Sequence, residues 1–488
     1  MNENKQFIIP KEIYEPKYLF NKITVLFTTS PIGSNPSTAI IDEVFDGCLN
    51  VKNLEYCKKI IICDGYKLYK KSNYKGGKIK NEEVENYNKF IYNVQERIKN
   101  EYYSNITANS IPDQDNNEIK KQDIVDNNNN NNNNKEEVIR KKRKIQNEIS
   151  KDNQRHKLFF GPIDFNLKID NINPESCTIN IPENKISFIK KNEICEMLKI
   201  DDKTPRWKRV IPQQINYITP LTKIIRIQQR VGFGFAVREA LKQIDTPYVI
   251  IIQHDLKFQT EIDLPKIIYT METYSDRIKY IGFATNHVTS YARRCADPAL
   301  PRILSPDPSL PIPLIPLFFW YDKTHIASVQ HYLKLVFGRG SVIYNGDFIE
   351  DKFGHVQLQD IKEHGMEVHS KYGTWMYFPK DEEREKEEKE LKRKKIEKKN
   401  YNEQEKNKLN TNIDENENKN ENENDDDHDD NDDINKNKTT KDKFKSDQNN
   451  QANNYYCKPC LLHLDGRRFL TRLQKEKMIE ESKQLKSS

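Results

Sequence analysis

No stretch of this 488-residue chain approaches the roughly 20 consecutive apolar residues that cross a bilayer as a helix. No membrane span is expected. Met1 to Pro10 also lacks the basic start, apolar middle and small-residue cleavage site of a secretory leader, so a cytoplasmic location is the expectation. A dense cysteine framework is missing as well. The eight cysteines are scattered, which in a chain without a leader points to free thiols, and Cys457-Lys458-Pro459-Cys460 is a lone CxxC with no second pair to complete a zinc site. Charge of one sign is nearly absent in sum: the net value is +6, and the strongest clusters lie in segments that cannot fold, so no nucleic-acid partner is inferred. The basic runs Arg140 to Lys144 and Lys392 to Lys395 have the composition of nuclear-import signals and equally that of solvated tracts, which leaves a nuclear location open beside the cytoplasmic one.

Two long segments have almost nothing to bury. Residues 103–157 are dominated by Asn, Asp, Lys and Glu, with an unbroken run from Asn127 to Asn134, and residues 380–454 pass from a Glu/Lys block into Asn/Asp/Glu tracts. Such sequence buries too little apolar surface to offset the backbone ordering entropy of ~1–2 kcal/mol per residue. Both are expected to be disordered insertions. The remainder, 21–102, 158–379 and 455–488, adds up to one ordinary domain with an ample core.

That remainder alternates strands and helices. Ile23 to Thr28 is a β-branched apolar run typical of a buried strand. The loop Pro31 to Pro36 follows it, with Ser37 or Thr38 as N-cap of a helix whose Ile40, Ile41, Val44, Phe45 and Cys48 share one face. Lys59 to Cys63 is a second buried strand ending at Asp64-Gly65. Beyond Pro220 a glycine turn, Gly232-Phe233-Gly234, enters a helix with Val237, Ala240, Leu241 and Ile244 at core spacing, and Tyr248 to Ile252 is a strand that stops at Gln253-His254-Asp255. A helix with Leu264, Ile267, Ile268 and Met271, and a strand over Ile278 to Ala284, continue the pattern. It predicts an α/β fold with a mostly parallel sheet flanked by helices, in which ligands bind at the carboxyl ends of the strands. Asp64 and Asp255 both occupy such ends.

With these residues in view, the chain resembles the GT-A glycosyltransferases, particularly the large inverting, family 2-like group that uses nucleotide-diphosphate sugars. The resemblance covers residues 23–102 and 220–468 with the insertions left out. It implies that Asp255 closes a variant of the Asp-x-Asp motif holding Mn²⁺ or Mg²⁺ against the donor diphosphate, although Gln253 stands where the first acid belongs. It further implies that Asn345-Gly346-Asp347-Phe348-Ile349-Glu350-Asp351 is the Glu-Asp motif, with Asp351 as general base and Glu350 orienting the acceptor. A late histidine completes the metal shell, either His463 in Leu461-Leu462-His463-Leu464 or its rival His369. Thr29, Pro31 and Asp64 would contact base and ribose. Gly234, Arg238 and His254 would line the rest of the donor site, Arg238 at the diphosphate. Trp320 and Tyr321 would stack on an acceptor sugar, though core packing explains the neighbouring Phe318 and Phe319 equally well. Tyr291-Ala292-Arg293-Arg294 adds aromatic and cationic side chains to the same region.

Three rival readings compete. Gly232-x-Gly234 followed by Asp255 imitates a dinucleotide fingerprint, but Val237 holds the third glycine position, and Gln228 to Val231 separate the strand from the glycines. A nucleotidyltransferase would carry a basic glycine-rich loop after its first strand, and Ser30 to Ser37 contains no lysine or arginine. An inactive descendant that only binds is the remaining alternative, raised by Gln253. The acceptor, whether glycan, protein or small molecule, is not written in these motifs.

Overall fold

The structure, a computed structural model, describes residues 7–109, 213–285, 305–398 without 388, and 457–476 without 473, together with 158–159, 211, 300 and 401. Arg140 to Lys144, the asparagine run and Tyr291 to Arg294 lie outside the described residues.

Strand β1 (Ile23–Thr29) is buried at every position, as a continuous β-branched run demands. It lies between β2 (Lys58–Cys63) and β7 (Tyr248–Gln253) and is parallel to both. Helix α1 (Ala39–Cys48) joins β1 to β2. A short pair, β3 (Lys67–Leu68) and β4 (Lys78–Ile79), leads into the long helix α2 (Asn81–Asn109). The hairpin β5 (Gln213–Thr219) and β6 (Thr222–Ile227) extends the sheet beyond β2, with β6 parallel to it. Helix α3 (Gly232–Leu241) then carries the chain back across the sheet to β7. Next come β8 (Leu256–Phe258), α4 (Leu264–Thr273) and β9 (Tyr280–Phe283). Strands β10 (Leu314–Pro316) and β11 (His325–Ser328), helices α5 (Val329–Leu335) and α6 (His355–His364), and strands β12 (Thr374–Tyr377) and β13 (Leu461–His463) complete the order.

Among the described residues the sheet has nine strands in the order β10-β12-β9-β11-β7-β1-β2-β6-β5. β5, β10 and β11 run against the rest, so the sheet is mostly parallel. Alternation along each strand divides the core into two layers. Val25, Phe27, Ile61 and Ile250 pack with Val44 and Phe45 of α1, with Tyr87, Phe90, Ile91, Val94 and Ile98 of α2, and with Ile268 of α4. Leu26, Ile60, Ile62 and Ile251 face the other way, onto Val237 and Ala240 of α3 and Tyr332 of α5. Full burial of a side chain such as Phe27 contributes roughly 1.5–3 kcal/mol, and this repeats along every central strand.

The segments expected to be disordered are partly helical where they are described. Helix α2 runs past residue 103 to Asn109, because Ile98 and the turns before it anchor it to the core. Residues 382–387 and 389–398 are also helical and almost wholly exposed. Their support is local, from i,i+4 ion pairs such as Lys389–Glu385 at 3.2 Å and Lys394–Glu390 at 2.9 Å. No helix among the described residues is long and apolar enough to cross a membrane.

Of the histidines in this frame, His325 is fully buried and His331 half-buried. Burial pushes His325 down to about 4, against the pull of its 2.6 Å contact with the Lys323 carbonyl, and burial with Lys279 nearby holds His331 down to about 4 as well. Unfolded histidine protonates near 6.5, so between 6.5 and 4 the unfolded chain binds the extra proton, and stability falls as pH falls. For His325 the loss approaches on the order of 3 kcal/mol at the acid end. Asp322, whose pKa burial and then Glu350 raise well above the carboxylate range, works in the opposite sense. Urea unfolding at pH 7, 5.5 and 4 of the wild type and of His325→Phe therefore isolates the histidine: the wild type should lose the more stability, and parallel profiles would refute its neutral burial.

Candidate active site

The strand order turns at β1, with β2 and β6 on one side and β7 on the other, and a crevice opens at the carboxyl ends there. Backbone bonds hold its rim in register. The Asp64 N–H donates to Thr29 O at 2.9 Å and the His254 N–H to Thr28 O at 3.1 Å, which seats one acid on each flank of β1. A cavity of about 290 Å³ lies there, lined among others by Thr29, Pro31, Asp64, His254 and Asp255. Five of the residues singled out from the sequence thus share one cavity.

The Asp64 carboxylate is committed to the backbone. Its oxygens accept from Gly65 N–H at 2.9 Å, Val231 N–H at 2.9 Å and Gly232 N–H at 3.0 Å, which ties β2 to the first turn of α3. Desolvation nonetheless leaves its pKa raised, since the bonds and Arg230 offset burial only in part. Gly232, at φ +80°, starts α3 where a β-carbon would stand 2.6 Å from Gly346 Cα. This absence of a side chain lets the 344–348 turn seat on the helix, with Gly346 N–H bonded to Val231 O at 2.7 Å and Gly234 N–H to Asp347 O at 3.2 Å. The turn delivers Phe348 to the cavity wall, where its ring stacks on Phe233 at 6.1 Å.

Asp255 and His463 meet although most of the chain's second half separates them. Strand β13 pairs antiparallel with β8, His463 opposite Leu256, and Leu464 N–H closes on Asp255 O at 2.8 Å. His463 Nε2 lies 3.4 Å from Asp255 Oδ2. Burial acts to raise the Asp255 pKa, but the bond from His463 and the charges of both histidines outweigh it and hold the carboxyl below its usual range. The same bond raises His463. Among the described residues no group of three or more His, Cys, Asp or Glu gathers as a metal cage. A carboxylate beside an imidazole at a cavity rim instead fits an ion such as Mn²⁺, whose other ligands are waters and phosphate oxygens. His369, the rival, is spent elsewhere: it is buried, and its Nε2 contacts Thr374 O at 2.7 Å.

Other placements differ from the expectations. Arg238 and Gly234 do not line this cavity. Gly232 and Ala236 face it one turn apart, and a residue two positions away from either lies on the opposite side of the helix. Arg238 stacks on Phe235 at 4.1 Å and pairs with Glu239 at 2.7 Å, while Gly234 serves close packing against Ile343 and Asp347. Trp320 is fully buried against Tyr280, Tyr332 and Phe353 and offers no face to a sugar, whereas Tyr321 is half-buried against Phe319. Glu350 and Asp351 open a single π-type turn before α6, just past Phe348 and outside the cavity lining. Glu350 Oε2 accepts from Asp322 N–H at 3.1 Å, and Asp351 is exposed. β13 pairs with β8 and not with β12, and the second segment leaves and rejoins the fold at the Lys380–Cys457 bridge. Cys457 and Cys460 are buried free thiols whose pKa values burial raises.

Sequence reasoning missed Arg230, which lines the cavity, lies against Gly77 and forms no hydrogen bond or ion pair among the described residues. Its signal was position: it is the last cation before the glycine turn. Compared with known proteins, the chain matches no family model, and no curated protein aligns with it.

Gly232→Ala tests the seat of the turn. Backbone strain alone should cost at least ~1–2 kcal/mol, before the clash with Gly346. The urea midpoint is expected to fall; an unchanged midpoint would mean that the 344–348 turn does not depend on this contact.

Proposed function

We propose that the chain is a GT-A-type glycosyltransferase that moves a sugar from a nucleotide diphosphate to an acceptor hydroxyl with inversion. The observation that carries this reading is Asp255 at a topological switch point, in one cavity with Arg230, whose guanidinium forms no hydrogen bond or ion pair among the described residues, and with the His463 imidazole 3.4 Å from the Asp255 carboxylate. An anionic diphosphate needs such a cation, and a divalent ion bound between Asp255 and His463 would supply further positive charge to the leaving group.

The protein's own residues do the rest. Arg230 holds the diphosphate at the mouth of the cavity. Phe233 and Phe348 form an apolar wall that keeps water from the reacting carbon. Asp322 N–H fixes Glu350, and the adjoining Asp351 takes the acceptor's proton as its oxygen attacks the anomeric carbon and the diphosphate leaves with the bonding electron pair. Gln253 is no ligand in this scheme, because its Nε2 donates to Asp322 O at 3.0 Å.

Slow hydrolysis of a panel of nucleotide sugars, with and without Mn²⁺, is the direct test. One donor should be turned over only with metal, and Asp255→Ala should abolish it. Asp351→Asn should lower transferase kcat by about 10²–10⁴-fold with donor binding intact. Product carrying the donor's anomeric configuration would overturn inversion. Absence of binding by every nucleotide sugar would leave the non-catalytic reading in its place. Arg230→Ala provides an independent check: removing a charge-assisted contact to phosphate should weaken nucleoside diphosphate binding by about tenfold or more and leave the unfolding midpoint near wild type.

A further inference from the structure

The turn that seats on Gly232 carries two exposed aromatic rings. Phe348 is 37% exposed and Tyr344 50%, whereas Trp320, the ring that the sequence offered to an acceptor, is fully buried. A single exposed ring is ordinary on a protein surface. These two stand four residues apart on a turn held from every side. Asp347 N–H bonds to Tyr344 O at 3.1 Å and Tyr344 N–H to Asp347 Oδ2 at 2.9 Å, which closes the turn on itself. Gly346 N–H bonds to Val231 O at 2.7 Å, and Ile349 N–H to Asp322 Oδ2 at 2.8 Å, which fix it to α3 and to the Asp322 segment. Rings held this way lose little freedom when a ligand covers them.

Their place relative to the proposed chemistry is narrow. Gly346, at φ +96°, lets the turn run against Arg230: a β-carbon there would stand 3.2 Å from Arg230 Nη1. The cation assigned to the diphosphate therefore touches the turn that carries the rings. Phe348 also lines the donor cavity and precedes Asp351 by three residues, a reach of at most about 11 Å. A group resting on Phe348 lies between the departing diphosphate and the base, where the acceptor must be. Phe233 takes one face of this ring, with 21° between the planes, and the side turned from Phe233 stays open.

The surroundings select the kind of group. A pyranose presents a face of C–H bonds, which suits the negative face of an aromatic ring, and a rim of hydroxyls that needs polar partners. Asn345 and Asp351 supply such partners: both are exposed, and their side chains form no hydrogen bond or ion pair among the described residues. A hydrocarbon chain laid on the same rings would desolvate these polar groups without bonding them. Resting on the transferase reading above, we infer that the acceptor is a glycan, its reacting sugar stacked on Phe348 and the neighbouring ring over Tyr344.

Saturation-transfer NMR of the full chain with the methyl glycosides of glucose, galactose, mannose and N-acetylglucosamine tests this without any donor. At least one should bind, with the protons of one ring face saturated most. Phe348→Leu keeps an apolar side chain without the ring and should weaken that binding about tenfold, whereas Phe348→Tyr should stay within about twofold of wild type. The matching disaccharide should bind more tightly than the monosaccharide, and Tyr344→Ala should remove the gain. Absence of binding by every glycoside, or Phe348→Leu equal to wild type, overturns the glycan acceptor; turnover of a nucleotide sugar beside either result leaves the transferase reading standing. Glycoside binding by a chain that neither binds nor hydrolyses any nucleotide sugar overturns the acceptor role and the transferase reading together.

Discussion

The three N–H bonds to the Asp64 carboxylate join the end of β2 to the start of α3, and most of the site's geometry follows from that junction. A helix start brought this close to a strand end needs its orphan donors satisfied, which a buried carboxylate does at the cost of its own desolvation. With the helix start fixed, Gly232 becomes the surface on which Gly346 sits, and Phe348 is carried to the cavity. Arg230, one residue before Val231, is aimed by the same junction across Gly77. Asp64, the anionic residue that a sequence reading assigns to the ligand, lines the cavity and is also the structural pin of the junction that carries Arg230.

How much of this was legible depended on how local the cause was. The strands β1, β2 and β7 were readable because strands buried on both faces become unbroken β-branched runs, and α1, α3 and α4 because their core residues recur at helical spacing. Strand-end placement was enough to put Asp64 and Asp255 into one crevice. The β5–β6 hairpin was harder to see: it lies at the sheet edge, where Gln213, Gln214 and Asn216 leave no apolar run. Contact of Arg230 with Gly77 and the pairing of β8 with β13 join distant parts of the chain, and strands of three residues carry almost no pattern of their own. Trp320 shows the complementary failure. An aromatic beside polar residues reads as a binding face or as core with equal ease, and only packing decides.

The connection between β12 and β13 is long, yet the Asp255–His463 contact depends on β13 arriving at β8. Entropy explains why this is tolerated. Loop-closure entropy grows slowly, by about 0.6 kcal/mol for each doubling of a connection's length, so the length itself weighs little in the balance. Against that stand the β8–β13 ladder, the Leu464 N–H bond to Asp255 O, the Lys458 N–H bond to Pro379 O, and the burial of Cys457, Cys460 and Leu461. The tie at residues 379–380 and 457–458 also fixes the two ends of the connection, which uncouples its length from the position of His463.

Gln253 is the departure from the two-acid motif that the resemblance implies, and its surroundings show why an amide stands there. Its Nε2 donates to Asp322 O, and the Asp322 segment in turn holds the other acidic motif, through Asp322 N–H to Glu350 Oε2 and Ile349 N–H to Asp322 Oδ2. A carboxylate at 253 has no hydrogen to give and would face a carbonyl oxygen, so the strand end and the Glu350 turn would lose their direct link. It would also add a negative charge near Asp322, whose pKa burial and then Glu350 already raise. Where the resemblance would place a second acid, the chain carries a neutral brace between the end of β7 and the Glu350 turn. On the proposed reading, the imidazole of His463, on a strand from the far end of the chain, stands beside Asp255 where that second acid would have served.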